Sequence, residues 1–431
     1  PFLPWPKDLD SNFGPDVRMV EYFVTAPCAT LGQGAEDYTE QALIAVTAGG
    51  GQPAAYHYLG RYDCIETAVS DYLNEFELQA SLYSSTLPSR GLLKRDNRRL
   101  LELSRHIRKL ILDPLGIDLA QTSNLIICPD GCLNKVPFEA IAAESPDNTD
   151  VFMGELVGIQ YARSTTDLTS HVARQPVPEK LRQSNQPTAT TFVLTNPHGE
   201  AAHETTLFQS RPSTLSTDIG VAHFADIQVT NTLGNIDNFP TDLKDIHWIH
   251  GDKATEDRLL EMQDVPYCII AAHGIHNPAS TTHDLPFGDS AMLLLEGHCE
   301  EQPRPSALNN DGLATAYEVS ALDLSDTRLV VLACCSSAMG QQKVGMGSAS
   351  MRLAFQLAGA HNVVSARWEI PTNQSVDQIR RFLGVIETEA PIGQTFSAAQ
   401  RDYIHDLRGQ LGVAHPYYWA GLHCYVSYSS N

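Results

Sequence analysis

The chain has 431 residues, 42% of them hydrophobic and 19% charged, which suits two domains, each with apolar side chains enough for a core. Its 51 acidic against 29 basic residues give a formal net charge of −22, a field that repels polyanions and argues against a nucleic-acid partner. No apolar run approaches the roughly 18 residues of a membrane span, so no membrane partner is expected. Nine cysteines is an odd number, and Cys268 sits inside the apolar run Tyr267-Cys268-Ile269-Ile270, unlike a disulfide framework. A reducing compartment, the cytoplasm, follows. Cys128 and Cys132 lack a second pair at zinc spacing, so no metal site is expected there. Pro1 to Asp10 carries no apolar leader core, and a start without methionine reads as a processed fragment with domains expected upstream.

In chain order, Tyr22–Thr25 and Ala42–Val46 read as strands, and Gly49-Gly50-Gly51 as a hairpin turn before a third at Ala54–Leu59. The triple glycine lacks the Lys-Ser/Thr and helix of a phosphate loop. Helices follow at Glu66–Tyr83 and Asn97–Leu112; the second has Leu100, Leu103, Ile107 and Leu110 on one face and stops before Pro114. Lys94, Arg95, Arg98 and Arg99 read as a solvated helix face. Leu125–Cys128 is a buried strand, followed by the turn Pro129-Asp130-Gly131.

Residues 176–190, rich in Pro, Gln and Ser, read as a linker. Strands then alternate with amphipathic helices, the pattern of a mostly parallel sheet. The strands are Phe192–Leu194, Ile246–His250, Cys268–Ala272, Leu329–Ala333, Asn362–Ser365 and Tyr417–Val426. Thr255 is expected to cap a short helix, and Ser348–Gly359 to form another that Gly359 ends. The polar stretch 277–312 reads as mobile loops around a short hairpin at Ala291–Leu295. Two domains result: 1–185, a divergent α+β lobe, and 190–431, an α/β domain.

Two of these strands end on chemistry. His273-Gly274 follows Cys268–Ala272, and Cys334-Cys335-Ser336-Ser337 follows Leu329–Ala333. Functional groups of open α/β sheets gather beyond the carboxyl ends of strands, so neighbouring strands would bring an imidazole and a thiol to one rim. A thiol of ordinary pKa, about 8.5, is partly ionised at neutral pH, and a nearby imidazole increases the thiolate fraction. The thiolate would attack a peptide carbonyl, and His273 would protonate the departing amine and then activate water. Backbone N–H groups of Gly274 and Cys335 would hold the oxyanion. Read by themselves, a buried cysteine is more often inert packing and a histidine at a strand end more often structural. His276 and His283 raise a metal alternative, but no His-Glu-x-x-His helix exists, and no cofactor loop is recognisable.

The surrounding sequence resembles the CHAT-domain peptidases, relatives of caspases and separases, from about residue 85 to the end. The blocks that carry it are LIICPDGCLNKVPFEAI (Leu125–Ile141), YCIIAAHG (Tyr267–Gly274), DGLATAYEVSALDLSDTRLVVLACCSSAMG (Asp311–Gly340), GMGSASMRLAFQLAGAHNVVSARWEI (Gly345–Ile370) and HPYYWAGL (His415–Leu422). By position the family's catalytic His falls on His273 and its catalytic Cys on Cys335, with Cys334 the competing nucleophile. The usual Ser and Ala before the Cys are Ala333 and Cys334 here, and Ser336-Ser337 replaces the usual Glu-Thr.

The resemblance implies a caspase-like αβα sandwich with a mostly parallel central sheet, preceded by the divergent lobe. It further implies a regulated cysteine endopeptidase without cofactor. Its partner would be a protein substrate, gasdermin-like or another neighbour-encoded protein, with regulatory repeats outside this chain. In caspase relatives the strand after the Cys-bearing loop binds substrate backbone; the matching residues are Ser365, Ala366, Arg367 and Trp368. Trp368 is an apolar wall or core packing. Arg367 binds an acidic side chain or faces solvent, with solvent preferred. Asp311 favours a basic substrate residue or is a turn residue before Gly312. Asp130, Gly131, Pro137, Phe138 and Glu139 match family positions but are expected to serve folding. A catalytically silent interaction module and a non-proteolytic thiol enzyme are the competing readings.

Overall fold

The computed structural model describes residues 14–25, 40–83, 90–143, 151–169, 191–195, 246–263, 265–276, 291–295, 312–333, 341–343, 347–368, 372–386 and 390–427. The chain forms two compact units: Pro1–Thr169 with Gln342–Gly347 and Thr388–Gly421, and Ser170–Gln341 with Ser348–Glu387 and Leu422–Asn431.

In the first unit, β-branched and aromatic runs build β1 (Val17–Val24), β2 (Ala42–Gly49) and β3 (Gln52–Arg61). These three strands are joined antiparallel in the order β3-β2-β1. Gly49, Gly50 and Gly51 turn β2 into β3 with φ of 102°, 67° and 71°, conformations open to glycine. The crossover α1 (Tyr62–Tyr83) and α2 (Arg90–Ile111) leads to β4 (Asn124–Cys128), which pairs parallel with β1. A parallel neighbour needs such a long connection. On α2, Arg99 faces Glu102 and Arg95 faces Asp96, as a solvated basic face would. Two short strands, β5 (Ala142–Ala143) and β6 (Val151–Phe152), precede α3 (Met153–Leu156), β7 (Gly158–Tyr161) and α4 (Thr165–Thr169). Strand β7 runs parallel to β4.

The turn after β4 is an anchor. Asp130 accepts hydrogen bonds from Val24 N–H at 2.9 Å and Gly131 N–H at 2.8 Å, tying β1 to the exit of β4. Gly131 has φ of 55°, and a Cβ there would lie 2.5 Å from the Tyr62 hydroxyl. That hydroxyl already accepts from Cys132 N–H at 2.7 Å. Phe138 is fully buried between the rings of Tyr22 and Tyr161, at 5.8 and 6.2 Å. Glu139, also buried, accepts a hydrogen bond from the Tyr161 hydroxyl. These residues hold the fold together.

The second unit carries β8 (Thr191–Thr195), β9 (Ile246–His250), β10 (Tyr267–Ala271), β11 (His273–His276), β12 (Ala291–Leu294), β13 (Leu313–Thr315) and β14 (Leu329–Leu332). After β15 (Gln341–Lys343) and β16 (Gly347–Ala349), of which Gln342, Lys343 and Gly347 belong to the first unit, it continues through β17 (Asn362–Ala366) and β18 (Leu422–Val426). Its main sheet has the order β18-β17-β14-β10-β8-β9, with β18 antiparallel and every other pair parallel. The expected α/β class with a mostly parallel sheet is what the chain adopts. β8, β14 and β17 are buried throughout and β10 from Cys268 on, which is why they read as apolar runs. Their one face packs with Leu259, Met262, Ala354 and Phe355 into a single core.

Helix α5 (Ala316–Ser320) starts on a reciprocal cap: the Thr315 hydroxyl accepts from Glu318 N–H at 3.2 Å and Glu318 accepts from Thr315 N–H at 2.9 Å. Helix α6 (Met351–Ala358) is capped by Ser350 and closed by Gly359 at φ of 119°, the expected stop. α7 (Thr372–Leu383) follows. Three expectations shift. Glu256–Met262 is a 3₁₀ helix that Thr255 does not cap, because its hydroxyl turns to Asp257 instead, at 2.5 Å. Ala291–Leu294 pairs with His273–His276 and Leu313–Thr315 across sequence, so it is the middle of a three-stranded sheet. Pro416–Tyr418 is a 3₁₀ turn, and β18 begins only at Leu422.

The last helix, α8 (Ile392–Leu411), belongs to the first unit, where Arg408 bonds Glu155 of α3 at 2.6 and 2.7 Å. Beyond it His415 is fully buried, its Nε2 2.9 Å from Gln79 Oε1 and its Nδ1 accepting from Tyr417 N–H at 3.3 Å. That arrangement suits a neutral ring, and burial pushes its pKa from 6.5 down to about 3, against the opposing pull of Asp96.

Gly131→Ala is expected to lower unfolding free energy by about 2–3 kcal/mol, through a left-handed φ and a collision with Tyr62, read from denaturant midpoints. His415 makes the first unit acid-sensitive. Its folded pKa lies below its unfolded one, so stability is complete above pH 6.5 and falls as pH drops toward 3. The slope should reach about 1.4 kcal/mol per pH unit. A His415→Gln variant should show a shallower decline between pH 7 and pH 4.5 in urea titrations.

Candidate active site

The ladder between β10 and β14 sets the geometry. Tyr267 faces Leu329, Cys268 faces Val330, Ile269 faces Val331 and Ile270 faces Leu332. Ala333 N–H then donates to Ile270 O at 2.8 Å, so pairing persists to the end of β14. The carboxyl ends of these two strands are therefore direct neighbours. His273 opens β11, two residues after β10, opposite Leu294 of β12, and Gly274 lies in the same ladder opposite Leu293. Cys335, its neighbours Cys334, Ser336 and Ser337, and Asp311 lie outside the described residues.

Ser365 and Ala366 are the last two residues of β17, both buried, and pair with His423 and Leu422 of β18. The Ser365 hydroxyl is 3.3 Å from His423 Nε2. On the other side, the β14 register covers only Val363 and Val364. Arg367, the residue just past the strand, is 6% exposed, so the solvent-facing reading is corrected. It continues a strand buried on both faces, and its guanidinium stays within the protein at the carboxyl end of the sheet. Trp368 is half-buried.

The described cysteines divide by environment. Cys128, Cys268 and Cys424 are buried strand residues, and Cys64 is exposed. Burial raises the thiol pKa of Cys128 and Cys268 and pushes Cys424 up to about 12. Cys132 is half-buried and pushed up to about 11, again chiefly by burial. At neutral pH such groups stay protonated and act as small apolar side chains.

One cluster at the same sheet end is not legible as a site in the sequence. The β10, β8 and β9 registers align Ala271 with Thr195 and Thr195 with His250. The buried Thr195 hydroxyl lies 2.7 Å from His250 Nδ1 and accepts from Trp248 Nε1–H at 3.1 Å. Trp248 is half-buried and His250 exposed. Only the pairing of strands far apart in sequence assembles this trio, so no local spacing announces it. Among the described residues, no group of three or more His, Cys, Asp or Glu side chains is placed to hold a metal ion, and no helix is long and apolar enough to cross a membrane.

The chain matches the CHAT domain family over residues 101–427. No curated protein matches it. Among solved structures it is similar to chains from two crystal structures of the Saccharomyces cerevisiae separase–securin complex. One is 11% identical with a TM-score of 0.47, and the match covers 98% of this chain. The other is 10% identical with a TM-score of 0.47 and 96% covered. In both cases the match spans 30% of the other chain. The complex of Porphyromonas gingivalis RgpB pro- and mature domains is 10% identical with a TM-score of 0.32, covering 71% of this chain and 64% of that one.

The thiol environments predict a labelling order. Brief treatment of the native protein with iodoacetamide at pH 7.5, followed by peptide mass spectrometry, should leave Cys128, Cys268 and Cys424 unmodified. Unfolding in urea before the reagent should expose all three.

Proposed function

The chain belongs to the CHAT domain family, and from that premise we propose that it is a cysteine endopeptidase in which His273 and Cys335 form the catalytic dyad. The observation that carries this reading is the β10–β14 register. His273 stands three residues past Ile270, and Cys335 three past Leu332, the residue opposite Ile270.

In the reaction, the Cys335 thiolate attacks the scissile carbonyl carbon and a tetrahedral oxyanion forms, held by backbone N–H groups of Gly274 and Cys335. The C–N bond breaks as His273 delivers a proton to the leaving amine. His273 then takes a proton from water, whose oxygen attacks the thioester; the C–S bond breaks, releasing the acid and the Cys335 thiolate and leaving His273 protonated as at the start. Ser365 to Trp368 guide the peptide before the cut through backbone hydrogen bonds. Arg367, a cation at the carboxyl end of β17, and Asp311 are the charged groups that set side-chain preference. The substrate is a protein, cleavage is controlled by a partner, and the enzyme works in the cytoplasm. The described cysteines are all free thiols, which accords with a reducing compartment.

A peptide library made from a digested proteome, incubated with the protein and read by mass spectrometry, tests the proposal. Wild-type protein should generate new peptide ends. Cys335→Ala and His273→Ala should each reduce their rate by about a thousandfold or more, with unchanged circular dichroism. Full activity in Cys335→Ala would overturn the assignment.

A further inference from the structure

A second, positioned imidazole stands at the carboxyl rim of the same sheet. Trp248 Nε1–H can only donate, so the Thr195 oxygen accepts from it. Thr195 is fully buried, and its own hydroxyl proton needs an acceptor; His250 Nδ1, 2.7 Å away, is the one available among the described residues. That leaves the His250 proton on Nε2. The Trp248 ring lies edge-on to the imidazole, with centroids 5.9 Å apart. An exposed side chain gains little stability from being held so, but a fixed donor loses less entropy when it meets a ligand.

The position of this donor is defined by strand order. The sheet runs β14-β10-β8-β9 from the thiol-bearing strand outward. Because the histidine of the dyad protonates the departing amine, residues beyond the cut extend over β10 and past it. His250 stands level with Thr195 and Ala271, on the face opposite the core residues Leu194, Ile249 and Ile270. Two strand spacings separate β9 from β10, about 10 Å, and an extended peptide covers that distance in about three residues.

Resting on the Cys335–His273 reading, we propose that His250 is a specificity-determining residue that donates Nε2–H to a carboxylate or carboxamide oxygen on a substrate side chain about three residues beyond the cut. Thr195 and Trp248 are its positioning residues.

A synthetic peptide library randomised on both sides of the cut tests this, with mass spectrometry giving the residue frequencies at every position. Wild-type products should be enriched in Glu, Asp, Gln or Asn at the third residue after the cut. His250→Ala should lower that enrichment about tenfold, the worth of one hydrogen bond, with the frequencies before the cut serving as the internal comparison. His250→Gln, which keeps a donor, should retain most of it, and Thr195→Val should weaken it. The relative frequencies of Glu and Asp against Gln and Asn identify which oxygen is read. A profile after the cut that is flat in wild type, or identical in His250→Ala, overturns this inference and leaves the dyad standing. A wild-type protein that cuts no peptide overturns both.

Discussion

The parallel pairing of β10 with β14 is the constraint on which the second unit depends. Four residue pairs and the Ala333–Ile270 hydrogen bond hold the two strands in one register. Both strands are buried on both faces, so a slip by one residue would exchange every side chain between faces. Parallel strands also end at the same edge, and any chemistry encoded just after them is delivered there together. The register fixes how far beyond each strand a residue must lie to meet its counterpart. It thereby sets the residues that directly follow β10 and β14 at one edge of the sheet.

The first unit uses similar strands differently. Its parallel set β1, β4 and β7 also carries polar residues in and after the strands, but these are turned inward. Asp130 accepts from two backbone N–H groups, Glu139 from the Tyr161 hydroxyl, and Glu21 from the Thr165 hydroxyl. Burial raises the pKa of Glu21, the cost of desolvation outweighing the hydrogen bond it receives. Buried polar groups paired in this way specify a unique arrangement and are expensive to leave unmatched. Residues of the PDG and PFEA segments thus bind the fold together.

At that edge of the sheet, the β17 and β9 ends carry different polar groups. A buried guanidinium closes the strand after the proposed nucleophile, whereas the outermost strand ends in an exposed imidazole backed by a buried threonine. Neighbouring parallel strand ends lie about 4.8 Å apart, so each change of strand moves a rim side chain sideways by that step.

Much of this was legible locally. Ile246–His250 has the bounds its apolar–polar pattern indicates, and Gly359 stops its helix because no other residue takes a φ of 119° so readily. The asparagine-to-cysteine strand of the first unit, β10, β14 and β17 are apolar runs that announce themselves. The family segments marked His273 and Cys335 as a pair. Strand order, the partner of Ala291–Leu294, the return of Ile392–Leu411 to the first unit, the burial of Arg367 and the Thr195–His250 contact emerged only in three dimensions. Periodicity and turn chemistry are properties of neighbouring residues, so one sequence carries them. Which strand lies beside which is decided by crossovers and shared burial across the whole chain, and no short window contains that competition.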